Sequence, residues 1–285
     1  MESPHDARSG QRLGLCWGSV PGGTLLDVAQ AASAADLAVI AVTPGQVLAA
    51  LAGRSAAELR RQLRDFGVRV GTIDPLIGPV PGTPPPAEVE QRMRALFEAG
   101  YEDGWRAAEA VEAKAINFTQ FLGRPRPLAS LSEALARLAR QNAAHGFAST
   151  FEFIPGTSVP DLPSAAALVR DAPGLTIMFD MWHFARSDGR IADIDALPPG
   201  TIGGVQINDW LPAAPGAPYV PMSGRLMPGD GCLPLAEILA RIEANSPGLD
   251  VSIEVFNADL EAMGRDAAAR LLAGKSRLFL AEDSR

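Results

Sequence analysis

Apolar residues in this chain gather into short, nearly unbroken runs, separated by longer stretches in which they recur every three or four positions. The runs are LGLCW at 13–17, LAVIAV at 37–42, VRVGTI at 68–73, AINFTQF at 115–121, ASTFEFI at 148–154, LTIMFD at 175–180, IGGVQIN at 202–208 and DVSIEVF at 250–256. Short β-branched or aromatic runs of this kind are what a strand buried on both faces requires. Between them, Leu235, Ile238, Leu239 and Ile242 repeat at helical spacing. Ser55 with Glu58, and Ser130 with Glu133, stand three apart as in capping boxes.

Eight strands alternating with helices define an α/β fold, a closed (β/α)8 TIM barrel, and 285 residues suit one such domain. A doubly wound open sheet also alternates the two elements, but GSVPGG at 18–23 lacks the glycine spacing of a dinucleotide loop. The barrel is assigned to residues 12–285, and the polar residues 1–11 to a flexible tail without the apolar core of a signal peptide. The proline-rich segment 79–87 reads as an extended loop bordering the mouth of a pocket. The long connection 210–232 reads as a lid or substrate-binding segment.

The polar residues that close the later runs carry the chemistry. Glu152, Asp180, Gln206 and Glu254 each end a predicted strand, so each is delivered to the same end of the barrel. One carboxylate at a strand end commonly caps a helix or pairs with arginine. Three converging in a buried site would each cost several kcal/mol without a cation. Three carboxylates and an amide oxygen form a hard donor set suited to Mn²⁺ or Mg²⁺. Such an ion with open positions could chelate a hydroxyketone. His183, three residues beyond Asp180, can hydrogen-bond or protonate a substrate oxygen, or serve as a donor to a neighbouring carboxylate.

These motifs, FEF with Glu152, FDMWH with Asp180 and His183, VQIND with Gln206, RLMPGDG at 225–231 and IEVF with Glu254, resemble the xylose isomerase-like TIM barrels of the sugar phosphate isomerase and epimerase superfamily. The resemblance implies that Glu152, Asp180, Gln206 and Glu254 bind one divalent cation, that Glu152, Glu254 and His183 are catalytic, and that Arg225 binds substrate. Many epimerases of that family carry His at the third ligand position. Gln206 looks more like the 3-dehydroshikimate dehydratase branch.

The expected activity is therefore isomerisation or epimerisation of a sugar, polyol or related hydroxyketone through a metal-stabilised enediolate. The alternatives are dehydration of a cyclic keto acid or keto-sugar, and a catalytically silent ligand-binding barrel. Trp17, Trp182 and Trp210, with Phe121 and Phe256, fall at strand ends and are candidates to line the pocket.

Composition narrows the partners to a small-molecule substrate. A net charge of -8 without a basic stripe argues against nucleic acid. With three histidines the chain lacks the ligands of a multi-zinc nuclease. Neither lysine, Lys114 or Lys275, closes a strand as a Schiff-base lysine would. Two cysteines supply no disulfide framework, and no apolar run reaches a membrane span. A cytoplasmic enzyme is expected, and a homodimer or homotetramer is the expected assembly.

Overall fold

The computed structural model describes residues 12–212 and 222–280. Eight parallel strands close into a barrel in sequence order: β1 (Leu13–Cys16), β2 (Val39–Val42), β3 (Arg69–Leu76), β4 (Ala115–Thr119), β5 (Ala148–Glu152), β6 (Leu175–Asp180), β7 (Ile202–Ile207) and β8 (Val251–Ile253). β8 pairs with β1, with Leu13 beside Val251 and Leu15 beside Ile253, so no edge is left open. All eight predicted runs are strands.

The runs are almost purely apolar because both faces of each strand are covered. One face packs on the surrounding helices, and Leu15, Ile40, Ile73, Ile116, Phe151, Ile177, Val205 and Ile253 are essentially inaccessible in that layer. The register sets Asp180 directly beside Gln206 and Glu152 beside Thr119. The ends of β4 and β5 are in register, and Asp180 lies two residues beyond Met178, the partner of Glu152.

The helices begin where their side chains can satisfy free amide groups. Ser55 caps the helix Ala56–Asp65: its hydroxyl accepts from the Glu58 N–H, and the Glu58 carboxylate accepts from the Ser55 N–H at 2.8 Å. The second predicted box does not form. Pro127 opens the helix Leu128–Ala144, so Ser130 already lies within the first turn, where its hydroxyl donates to the Pro127 carbonyl at 2.8 Å. Ser55→Ala should thus cost about 1 kcal/mol in urea unfolding, whereas Ser130→Ala should stay within about 0.5 kcal/mol.

Two loop expectations meet different outcomes. None of residues 79–87 lines the cavity at the barrel mouth; the wall there comes from Pro75 and Ile77 before the segment and Leu96 after it. The proline-rich stretch packs sideways instead, with the Gln120 amide donating to the Pro81 carbonyl at 2.7 Å. The tail 1–11 and the middle of the predicted lid, 213–221, lie outside the described residues.

Candidate active site

The carboxyl ends of the strands bring together every polar strand-end residue named above. Glu152, Asp180, His183, Gln206, Arg225 and Glu254 are all buried in one cluster. Asp180 is its anchor. One carboxylate oxygen accepts from the His183 N–H at 2.8 Å, capping the helix Met181–Arg186, and the other accepts from Asn208 Nδ2 and Arg225 Nη2, each at 3.1 Å. His183 is set by that helix turn, and its Nε2 lies 3.3 Å from both Glu152 Oε1 and Arg225 Nη2.

Arg225 arrives from the far end of the long connection, and the chain positions it with a carboxylate. Asp209 accepts backbone N–H groups from Gly229, Gly231 and Leu233 at 3.0 to 3.1 Å, folding the PGDG turn onto the end of β7. A β-carbon at Gly231 would meet Asp209 Oδ1 at 2.3 Å, so this clamp requires glycine there. Asp209 also exchanges backbone hydrogen bonds with Leu226, next to Arg225. The guanidinium then lies over the rings of Trp182 at 4.6 Å and Phe256 at 5.0 Å, and donates to Glu254 Oε2 at 3.2 Å.

A fourth buried carboxylate completes the group. Asp74 was hidden in the sequence because Pro75 follows it and looks like the end of a strand, whereas β3 continues through Leu76. Its oxygens accept from Asn117 Nδ2 at 2.7 Å and from Gln206 Nε2 at 3.0 Å. Cys16, at the end of β1, donates its thiol proton to Glu254 Oε1 at 3.2 Å.

These neighbours divide the ionisation states. Burial, reinforced by nearby acids, pushes Glu152 and Glu254 well above the usual carboxylate range, and burial raises Asp74 to about 6. Burial pushes Asp180 in the same direction, but Arg225, His183 and the His183 N–H together hold it below its ordinary value. Burial lowers His183 to about 3, so its imidazole is neutral at physiological pH. Cys16 is driven up by burial and by Glu254 and Asp74, and stays a thiol.

This donor set fits a divalent cation. Four buried carboxylates face one buried guanidinium and a neutral imidazole, leaving three negative charges uncompensated if all four ionise. Gln206 Oε1 is buried without a hydrogen-bond partner, a costly state for a carbonyl oxygen unless something accepts its lone pairs. Two groups have ligand atoms within 4.8 Å of one another: Glu152, Asp180 and His183, and Cys16, Asp74 and Glu254. The first adds an imidazole to the oxygen donors foreseen from the sequence, and the second brings in two residues not foreseen.

Above this floor the cavity is largely apolar. Trp17, Ile77, Leu96, Phe121, Ile154, Met222 and Phe256 form its walls, and no lysine is among its lining residues. Trp17 meets Phe256 edge to face at 5.5 Å between ring centres. Trp182 is not on the wall; it lies behind Arg225, with its indole N–H donating to the Gly224 carbonyl at 3.1 Å. Trp210 also stays off the wall, where its carbonyl holds the Cys232 N–H at 2.9 Å.

A closed eight-stranded barrel with a buried acidic cluster at its carboxyl end defines the class, and comparison with known proteins gives the family. The sequence profile of the xylose isomerase-like TIM barrels matches residues 29–280, and the chain belongs to that family. No curated protein sequence matches the chain.

Among solved structures, the IolI protein with a bound zinc atom superposes with a TM-score of 0.76 at 14% identity, over 95% of this chain and 99% of that one. A probable 3-DHS dehydratase, AsbF, from Bacillus anthracis gives 0.68 at 15% identity over 95% and 99%. A fusion of a xylose isomerase-like TIM barrel with 4-hydroxyphenylpyruvate dioxygenase gives 0.70 at 20% identity, covering 92% of this chain, which spans 41% of the fusion. Solved structures of this fold include D-psicose 3-epimerase as well as the probable dehydratase. Likeness at these identities establishes the barrel, and the reaction must be argued from the site. No helix among the described residues is long and apolar enough to cross a membrane.

Proposed function

We propose that this protein is a divalent-metal-dependent isomerase or epimerase that removes a proton from carbon beside the carbonyl of a sugar, polyol-derived ketone or related hydroxyketone. The observation that carries this reading is the pair Glu152, at the end of β5, and Glu254, just past β8: two buried carboxylates brought into one cluster from strands separated by β6 and β7.

Glu152, Asp180, Gln206 and Glu254 would hold the ion, which is Mn²⁺ or Mg²⁺ in this proposal because every donor is oxygen. When bound, such an ion draws the carbonyl and neighbouring hydroxyl oxygens of a ketone together and raises the acidity of the carbon between them. One glutamate takes the proton, and the other, protonated beforehand, gives a proton of its own to the opposite face or to the adjacent carbon. Neutral His183 exchanges a hydrogen bond with a substrate oxygen, and the Arg225 fork binds a second oxygen of the substrate. The apolar walls exclude water from the reacting carbon.

A second reading, dehydration of a cyclic keto acid or keto-sugar, shares the proton abstraction and differs in the loss of a β-hydroxyl. Gln206 and the apolar, lysine-free wall favour it, because a ring would cover that wall better than an open-chain sugar phosphate would.

Incubation of the Mn²⁺-loaded protein in D₂O with ketoses, inososes and 3-dehydroshikimate, followed by mass spectrometry, distinguishes the two. Deuterium gained without loss of water is the expected result and supports isomerisation or epimerisation. Loss of water would shift the assignment to the dehydratase. Neither event across a panel that includes binding compounds would sink both readings in favour of a silent ligand-binding barrel.

A further inference from the structure

We infer that Asp74 is a positioning residue that holds the nitrogen of the Gln206 amide, leaves its oxygen free, and so makes an otherwise ambivalent side chain available as a cation ligand. The inference rests on the ion-binding reading above and goes beyond it in saying what creates the fourth oxygen donor. A glutamine amide presents an acceptor on one side and two donors on the other, and only the oxygen can bind a cation. Something must decide which side faces the ion.

The structure contains that device as a chain of three hydrogen bonds that joins four strands. Thr150 on β5 donates its hydroxyl proton to Asn117 Oδ1 on β4 at 2.8 Å. This turns Asn117 Nδ2 toward Asp74 on β3, to which it donates at 2.7 Å. Asp74 uses its other oxygen to accept from Gln206 Nε2 at 3.0 Å, across the barrel on β7. An ionised carboxylate has no proton to give, so the opposite amide orientation would press Gln206 Oε1 against Asp74 Oδ2, two acceptors at hydrogen-bond distance. The consequence is visible at the other end of the amide: Gln206 Oε1 is buried and has no partner within the protein. All four side chains are buried, and the low polarity of their surroundings strengthens each of these bonds.

A purely structural role for Asp74 makes a different prediction from this one. If Asp74 chiefly held the barrel interior together, its replacement would destabilise the metal-free protein. If it orients Gln206, Asp74→Asn supplies an amide that can donate to Gln206 Oε1, so the metal-free fold is kept while the oxygen is taken from the ion. The reciprocal exchange Asp74→Asn/Gln206→Glu restores the relation: the amide at 74 donates to one oxygen of the carboxylate at 206 and leaves the other for the cation.

The experiment is calorimetric titration of Mn²⁺ into chelator-treated wild type, Asp74→Asn, the double exchange and Gln206→Leu, with thermal unfolding of each metal-free protein alongside. The expected result is a loss of Mn²⁺ affinity of about 10–100-fold in Asp74→Asn, the range typical of groups that orient metal ligands, without a fall in metal-free melting temperature. Recovery to within about fivefold of wild type is expected in the double exchange, on the same scale. Wild-type affinity in Asp74→Asn, or a double exchange that binds no better than Gln206→Leu, would overturn the inference while leaving the ion-binding reading intact. Wild type that binds no Mn²⁺ would overturn both. If Asp74→Asn does not fold, the comparison of the double exchange with Gln206→Leu decides the matter alone.

Discussion

Glu254→Gln is expected to lower turnover of a bound ketone substrate by on the order of 10³-fold, within the range that general acid or base groups contribute. The substitution is nearly isosteric, keeps one oxygen to accept the Arg225 N–H while its amide N–H can donate to the Cys16 sulfur, and removes the capacity to take a proton. Glu152→Gln should be comparably damaging to turnover because the reaction needs both a base and an acid. Isotope exchange separates them: the variant that lacks the first base should lose exchange and turnover together, whereas the one that lacks only the returning acid should still wash deuterium into unreacted substrate. A silent binding barrel predicts instead that Glu254→Gln leaves ligand affinity largely intact and that wild type has no exchange to lose.

The metal-free protein should lose stability as pH rises from about 4 to 8, and a divalent ion should reverse that loss. Asp74, Glu152 and Glu254 all have folded-state pKa values raised by burial. A carboxyl raised in the folded state binds more protons folded than unfolded between the ordinary value near 4 and its folded value, so stability falls as pH climbs through that window. For Asp74 the window runs up to about 6. Its cost alone is on the order of 3 kcal/mol at neutral pH. His183, lowered to about 3, offsets much of it below about 6.5 by binding fewer protons folded than unfolded. The net fall is therefore carried by the two glutamates and is steepest above that pH.

A divalent cation binds the ionised form and stabilises the folded chain alone. At a hundredfold excess over its dissociation constant it should add about 2.7 kcal/mol, roughly 5 °C or more in melting temperature. Differential scanning of chelated protein at pH 5 and pH 8, with and without Mn²⁺, reads both signs. A melting temperature that rises from pH 5 to pH 8 without the ion, or an ion effect as large at pH 5 as at pH 8, would contradict this electrostatic description.

Much of the barrel was legible because parallel strands covered on both faces leave continuous apolar runs, and eight of them survive in the chain as written. The site was legible for the same reason. A carboxylate at the end of such a run, as in TIMFD or VSIEV, stands out against its surroundings.

The pattern failed where local and tertiary signals compete. Asp74 sits before Pro75, and the Asp-Pro pair reads as a turn although β3 carries it into the barrel interior. Asn117 lies inside AINFTQF, a polar residue in a buried run that was visible but interpretable only once Asp74 faced it. Asp209 was part of VQIND, yet its role in clamping the PGDG turn depends on contacts some twenty residues away. Ser130 had the right partner at the right spacing, and Pro127 had already started the helix. The tryptophans show the limit of strand-end position as a guide: Trp17 reaches the cavity, while Trp182 supports Arg225 from behind.

Anomalous diffraction from crystals grown with Mn²⁺ tests the central assignment most directly. The expected result is one strong peak among Glu152, Asp180, Gln206 and Glu254, with ligand oxygens about 2.0–2.6 Å away, the range of hard divalent cations. No peak at the barrel mouth at saturating Mn²⁺, with Arg225 still bridging Asp180 and Glu254 and Gln206 Oε1 still without a partner, would contradict it.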